Sequence, residues 1–259
     1  MRQCALVGVA ALVALVGLVG PARAQTETLP FDHVHLTVPD PAQAAEWYRK
    51  NIGGEPVEKM SDRLRFGPTA IIFSKGDKAT PSVGSVVDHI SFSFADLDAK
   101  VKDLEAAGAK IITPVRDMAG LFKLGFVEDP WGVRLELVQD AEQLGFHHIH
   151  LRGPDPEVML TWYAEKFGGE RAKLKGRLDA LKYGPVWVLV QRGEATPSAG
   201  HAIDHTSWLV ASLDAKIAEL KGKGVTVTAE PRQLTLATGV VHVAFIEGPV
   251  GAKIELVQR

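Results

Sequence analysis

Of its 259 residues the chain has a single cysteine, Cys4. That residue precedes the N-terminal apolar run, too early for lipoprotein attachment, and it is lost if the run is removed. Disulfides, thiolate nucleophiles and cysteine-ligated zinc are then excluded, and any bound metal must rely on imidazole and carboxylate donors. The nine histidines therefore become informative. Excess positive charge is also missing, with 29 basic against 31 acidic side chains. Nucleic acid is not an expected partner, because a phosphate-binding surface needs clustered Lys and Arg.

Long apolar runs are missing too, apart from Ala5 to Gly20. Arg2 lies before that run, and Ala22-Arg23-Ala24 after it forms a small-x-small cleavage signal. Such a pattern reads as an export signal over residues 1–24, with the mature chain starting near Gln25. At roughly 20 residues a span is comfortable, and this run is shorter and weakened by Gly8, Gly17 and Gly20. The expected product is secreted or periplasmic and free of the membrane after cleavage. Without Arg2 and Arg23 it has 27 basic and 31 acidic side chains, a net charge of −4 with histidine neutral.

An internal repeat dominates what is present. FDHVHLTVPDP from Phe31 recurs as FHHIHLRGPDP from Phe146, and EWYRKNIGGE ending at Glu55 recurs as TWYAEKFGGE ending at Glu170. ATPSVGSVVDH from Ala79 returns as ATPSAGHAIDH from Ala195, and EDPWGVRLELVQ from Glu128 as EGPVGAKIELVQ from Glu247. Two homologous modules follow, residues 31–140 and 146–259, after a short segment at 25–30.

Each module divides again into similar halves: a strand opening on Asp-His or His-His, a helix, then three strands. In HVHLTV, period-two alternation sets His33, His35 and Thr37 on one face against Val34, Leu36 and Val38. HISFSF does the same with His89, Ser91 and Ser93. Asp40 and Pro41 mark a helix start, Gly53-Gly54 its end. Leu97, Val101 and Leu104 follow helical spacing. Helices are expected to cover the apolar faces, leaving the histidine faces to line a concave, partly solvated sheet. Alternation turns Asp32, Asp88 and Asp204 to the opposite face, in structural roles. Trp47-Tyr48 and Trp162-Tyr163 are expected in the core, and His147, His201 and His242 have no counterpart in the other module.

These segments resemble the vicinal oxygen chelate superfamily of glyoxalases, extradiol dioxygenases, fosfomycin-resistance enzymes and bleomycin-binding proteins. The resemblance rests on DHVHLTV, VDHISFSF and GVRLELVQ in the first module, and on HHIHLRG, IDHTSWL and GAKIELVQ in the second. It implies an α+β fold, with tandem βαβββ units pairing into two eight-stranded, cup-shaped mixed sheets and helices outside. It further implies one divalent metal site of His33, His89 and Glu136 and another of His148, His205 and Glu255. Two imidazoles and a carboxylate leave coordination positions open for substrate, water or oxygen. His35 and His150, roughly 7 Å further along their strands, are expected to act as general bases or substrate hydrogen-bond partners.

The resemblance leaves the reaction open. Glyoxalases draw a fourth ligand from a position that falls near Ala70 and Trp187, neither of which can ligate. Three ligands suit a dioxygenase-like Fe or Mn site, although Phe126 and Phe245 stand where ring-cleaving enzymes carry tyrosine. The expectation is a metal-dependent enzyme, using Fe, Mn or Zn, that binds a small oxygen-bearing substrate. The alternatives are a glyoxalase-type lyase or isomerase working through a metal-bound enediolate, and a non-catalytic small-molecule sequestration protein. Assembly as monomer or homodimer is compatible with a two-module chain.

Overall fold

The computed structural model describes residues 27–259, so the expected signal segment lies outside the described residues. Helix starts are set locally. Asp40 accepts a hydrogen bond from the Gln43 N–H, and Pro41 takes the first position of α1 (Pro41–Asn51). Asp155 and Pro156 repeat the device for α3 (Pro156–Phe167). Asp96 and Ser212 cap α2 (Leu97–Ala106) and α4 (Leu213–Gly222). Gly53 and Gly54, at φ 107° and 96°, end α1 by entering the left-handed region open to glycine.

Four strand groups accompany the helices. The first holds β1 (Phe31–Val38), β2 (Glu55–Val57), β3 (Met60–Phe66) and β4 (Thr69–Lys75). The second holds β5 (Val87–Ser93), β6 (Lys110–Asp117), β7 (Lys123–Glu128) and β8 (Arg134–Gln139). In the second module come β9 (Gly145–Gly153), β10 (Glu170–Leu174), β11 (Leu178–Tyr183) and β12 (Val186–Arg192). The last group is β13 (Ile203–Leu209), β14 (Val227–Leu236), β15 (Gly239–Glu247) and β16 (Lys253–Gln258).

The strands form two open, eight-stranded mixed sheets. One runs β14-β15-β16-β13-β1-β4-β3-β2, the other β10-β11-β12-β9-β5-β8-β7-β6. Neither sheet belongs to one module. The first joins the opening half of module one to the closing half of module two, through antiparallel β1 and β13. The second joins the two inner halves through antiparallel β5 and β9.

Connection geometry accounts for the exchange, since either pairing would bury the same strand faces. Residues 140–144 link β8 to β9 briefly and keep both in one sheet, whereas residues 76–86 and 193–202 cross between sheets. The two crossings carry the repeated ATPS motif and hold each other. Val86 N–H donates to the Thr196 carbonyl at 2.8 Å, Thr196 N–H to Gly84 at 3.0 Å, and Ala202 N–H to Thr80 at 2.7 Å. His201 joins them, with Nδ1 2.8 Å from the Pro81 carbonyl oxygen.

A continuous apolar core lies between sheets and helices, with Val34, Leu36, Tyr48, Ile90, Phe92, Leu104, Tyr163 and Trp208 all within it. The expected placement of Tyr48, Tyr163 and the helix-facing strand residues agrees with this. Among the described residues no helix is long and apolar enough to cross a membrane.

Candidate metal centres

Each sheet gathers one cluster of donors at its central strands. In the first sheet these are His33, His35, His205 and Glu255; in the second, His89, Glu136, His148 and His150. Within each cluster one donor atom per residue lies within 4.8 Å of all the others. The grouping of His33 with His89 and Glu136, and of His148 with His205 and Glu255, is thereby corrected. All six side chains lie in these two clusters, but the opening histidine of each module joins the closing half of the other, because the sheets are exchanged.

Around Glu255, His33 Nε2 lies 2.8 Å and His205 Nε2 3.2 Å from the same oxygen, Oε2. Around Glu136 Oε2, the distances are 2.9 Å to His89 Nε2 and 3.0 Å to His148 Nε2. The opposite ring nitrogens are held as well. His33 Nδ1 meets Asp32 at 2.5 Å, His205 Nδ1 meets Asp204 at 2.6 Å, and His89 Nδ1 meets Asp88 at 2.7 Å. Asp32 is clamped by the Arg259 guanidinium at 2.5 and 2.7 Å. Lys253 holds Asp204, and Arg134 holds Asp88.

Strict alternation placed these aspartates on the far face, and the register shows why it failed. Pairing shifts occur between Phe31 and His33, between His35 and Leu36 opposite Asp204, and between Val87 and His89. Each aspartate is therefore the extra residue of a β-bulge, a device that re-aims a side chain. His147 occupies the fourth such bulge, between Ser91 and Phe92 on the partner strand, and its Nδ1 lies 2.9 Å from His148 Nδ1. The one sequence signal for this role was the residue before each ligand-position histidine: Asp, Asp, Asp and His.

His35 and His150 come closer to the donors than strand spacing suggests, because they pair across the central junction, His35 with His205 and His150 with His89. The His35 and His205 rings stack at 4.1 Å between centroids. His35 Nε2 lies 3.7 Å from Glu255 Oε2, while its Nδ1 is 2.8 Å from Ser74 Oγ. His150 Nδ1 lies 3.9 Å from Glu136 Oε2 and is buried without a hydrogen-bond partner among the described residues. His150 also lines a cavity of about 340 Å³ with Leu160, Leu189, Arg177 and Arg192. Ala70 pairs with His33 and Trp187 with His148, so both stand beside a donor histidine. Phe126 and Phe245 lie opposite Glu136 and Glu255, each with its ring edge-on to a histidine at 5.2 Å. His242 is exposed on β15 and joins neither cluster.

Proton affinities follow from this packing. Burial works to lower the pKa of His33 and His89, yet their hydrogen bonds to Asp32 with Glu255, and to Asp88 with Glu136, raise it above the usual value. Burial dominates at His35, helped by His205 and His33, and takes its pKa well down. Burial likewise lowers His150 and brings His148 to about 4. Glu136 and Glu255 lie below the usual carboxylate range, the cost of burial being outweighed by the neighbouring imidazoles.

The donor set fits a divalent cation. A neutral imidazole that donates Nδ1–H to an aspartate presents a bare Nε2 lone pair. Two such lone pairs aimed at one carboxylate oxygen repel unless protons or a cation lie between them, and a divalent ion satisfies all three at once.

Comparison with known proteins agrees with this architecture. The family model for the Glyoxalase/Bleomycin resistance protein/Dioxygenase superfamily matches residues 31–137 and again residues 145–256. The chain belongs to this superfamily. Maize (Zea mays) glyoxalase I superposes with a TM-score of 0.71 at 19% identity, over 89% of this chain and 92% of that one. A provisionally assigned dioxygenase of Bacillus subtilis gives 0.62 at 17% identity, over 90% and 86%. At these identities the likeness speaks for the superfamily fold. A comparison with curated protein sequences finds no match.

Proposed function

We propose that this superfamily member is an exported, metal-dependent enzyme that acts on a small organic substrate bearing neighbouring oxygen atoms. The observation that carries the reading is the convergence of two imidazole Nε2 atoms on a single buried carboxylate oxygen, repeated in both sheets. His33, His205 and Glu255 would hold one ion, and His89, Glu136 and His148 the other. A divalent Fe, Mn or Zn ion, when bound, supplies Lewis acidity to substrate oxygens. Asp32, Asp204 and Asp88 fix the tautomer and orientation of the histidines that they touch.

His35 and His150 would move protons at the substrate. Burial keeps both neutral near pH 7, so each offers a lone pair to accept a proton. Ser74 orients His35 so that Nε2 faces the donors. The cavity that His150 lines supplies space for a small molecule. Three protein donors with open positions favour dioxygenase-like chemistry. The proximity of His35 and His150 to the donors favours a second reading, in which each becomes a fourth ligand and the protein is a lyase or isomerase.

Elemental analysis of the purified chain, followed by turnover of a panel of catechols and α-hydroxyketones in an oxygen electrode, tests both. Bound metal with oxygen uptake on a member of the panel is the expected result. Metal-dependent conversion of a hydroxyketone without oxygen uptake would move the assignment to the second reading. Protein that ignores added Fe, Mn and Zn, yet binds small organic molecules, would replace both with sequestration.

A further inference from the structure

We propose that the two centres hold their ions with unequal strength, the second sheet's centre being the weaker, because His147 stands where the other three ligand-position histidines have an aspartate. The inference rests on the metal reading above and goes beyond it, since the repeat alone would make the centres equivalent. Three of the four bulges deliver a carboxylate to an Nδ1 atom at 2.5 to 2.7 Å. The fourth delivers an imidazole at 2.9 Å.

The difference is chemical. An aspartate accepts Nδ1–H as a carboxylate and raises the basicity of the ring directly, while Arg259, Lys253 and Arg134 balance the charge of the three that do so. His147 accepts as a neutral ring only if its own proton sits on Nε2, which faces Asp140 Oδ2 at 3.3 Å. The carboxylate is thus one imidazole further from the metal position. Like the other three aspartates it is paired with a cation, Lys175 Nζ lying 2.8 Å from its other oxygen, which accepts from the Glu142 N–H as well, so its distance from the metal position is what sets it apart. Within this backing layer the first centre has two aspartates and the second has one. His147 is itself fully buried, with Phe122 edge-on at 5.6 Å, so water does not stand in for the missing carboxylate acceptor. His147 is accordingly a positioning residue for His148.

The test is an equilibrium titration of the metal-free full chain with Zn²⁺ or Co²⁺ against a chromophoric chelator. The wild type is expected to show two classes of site, separated by about 10 to 100-fold in affinity. Glu136→Gln should remove the weak class and Glu255→Gln the strong one. His147→Asp, which places a smaller side chain on the same bulge, should bring the classes together. Asp32→Asn, isosteric and neutral, should weaken the strong class and so covers the case in which His147→Asp folds poorly. Two equal classes in the wild type would overturn the inference, as would loss of the strong class in Glu136→Gln. An unchanged gap in both His147→Asp and Asp32→Asn would do the same. Absence of any binding would instead remove the metal reading on which the inference stands.

Discussion

Double variants separate a shared pair of centres from two self-contained modules, because the alternatives give opposite results. His33 Nε2 and His205 Nε2 lie 2.8 and 3.2 Å from Glu255 Oε2, whereas His89 Nε2 lies 2.9 Å from Glu136 Oε2. His33→Ala with His205→Ala therefore damages one centre twice and leaves His89, Glu136 and His148 whole. His33→Ala with His89→Ala damages both centres once. Outer hydrogen-bond partners alone alter metal affinity by about 10 to 100-fold, so loss of a direct ligand should exceed about 100-fold. At micromolar free metal the wild type should retain about two equivalents, the first double variant about one, and the second close to none. Equilibrium dialysis against Mn²⁺ or Zn²⁺ followed by elemental analysis reads this directly, with circular dichroism as a check on folding. If His33→Ala with His89→Ala kept one equivalent while His33→Ala with His205→Ala kept none, the centres would belong to single modules and the exchanged sheets would be refuted.

Three further outcomes are expected. The buried Tyr48 hydroxyl donates to Asp129 at 2.7 Å, while the buried Tyr163 hydroxyl has no hydrogen-bond partner among the described residues, glycine standing at position 248 where the first module has Asp129. Tyr48→Phe should cost about 1 to 2 kcal/mol in chemical denaturation and Tyr163→Phe should be neutral or stabilising; equal losses would contradict the difference in pairing. Burial raises the Asp129 pKa to about 6 despite hydrogen bonds from Tyr48, Val133 and Trp131. Its folded form binds a proton that the unfolded chain has already released, so this group makes stability fall between about pH 4 and 6, by at most about 3 kcal/mol. Asp129→Asn should flatten that slope in pH-dependent unfolding, and an unaltered slope would count against it. Finally, His35→Ala and His150→Ala should each keep about two equivalents of metal while lowering turnover by about 10² to 10⁴-fold. Loss of metal from either variant would make that histidine a ligand.

Much of the fold was legible because pattern and repeat reinforced one another. HVHLTV and HISFSF alternate cleanly, Asp40-Pro41 and Gly53-Gly54 bound a helix, and the duplicated motifs divide the chain. The six candidate donor positions came from the family resemblance, with added weight from a glutamate within RLELV or KIELV and histidines opening matched strands, which are costly to bury unpaired. Which donors share a centre was not legible, because β1 presents the same face whether it pairs with β5 or with β13. Short connections after Gln139 and paired crossings at Ala79 and Ala195 decide that, and both are tertiary facts. Bulges at Asp32, Asp88, His147 and Asp204 escaped for a related reason. A bulge is defined by a partner strand, and no glycine or proline marks these four.

The exchanged topology also gives the two centres different birthdays on a nascent chain. All donors of the second sheet's cluster lie between His89 and His150, so that set is complete about 100 residues before Glu255 is made. The other cluster waits for Glu255, and the clamp on Asp32 waits for Arg259. Truncation just before Glu255 would thus erase one centre and spare the other. The wide sequence separation between His33 and Glu255 gives the first sheet the more distant pairings, so it is expected to assemble after the second.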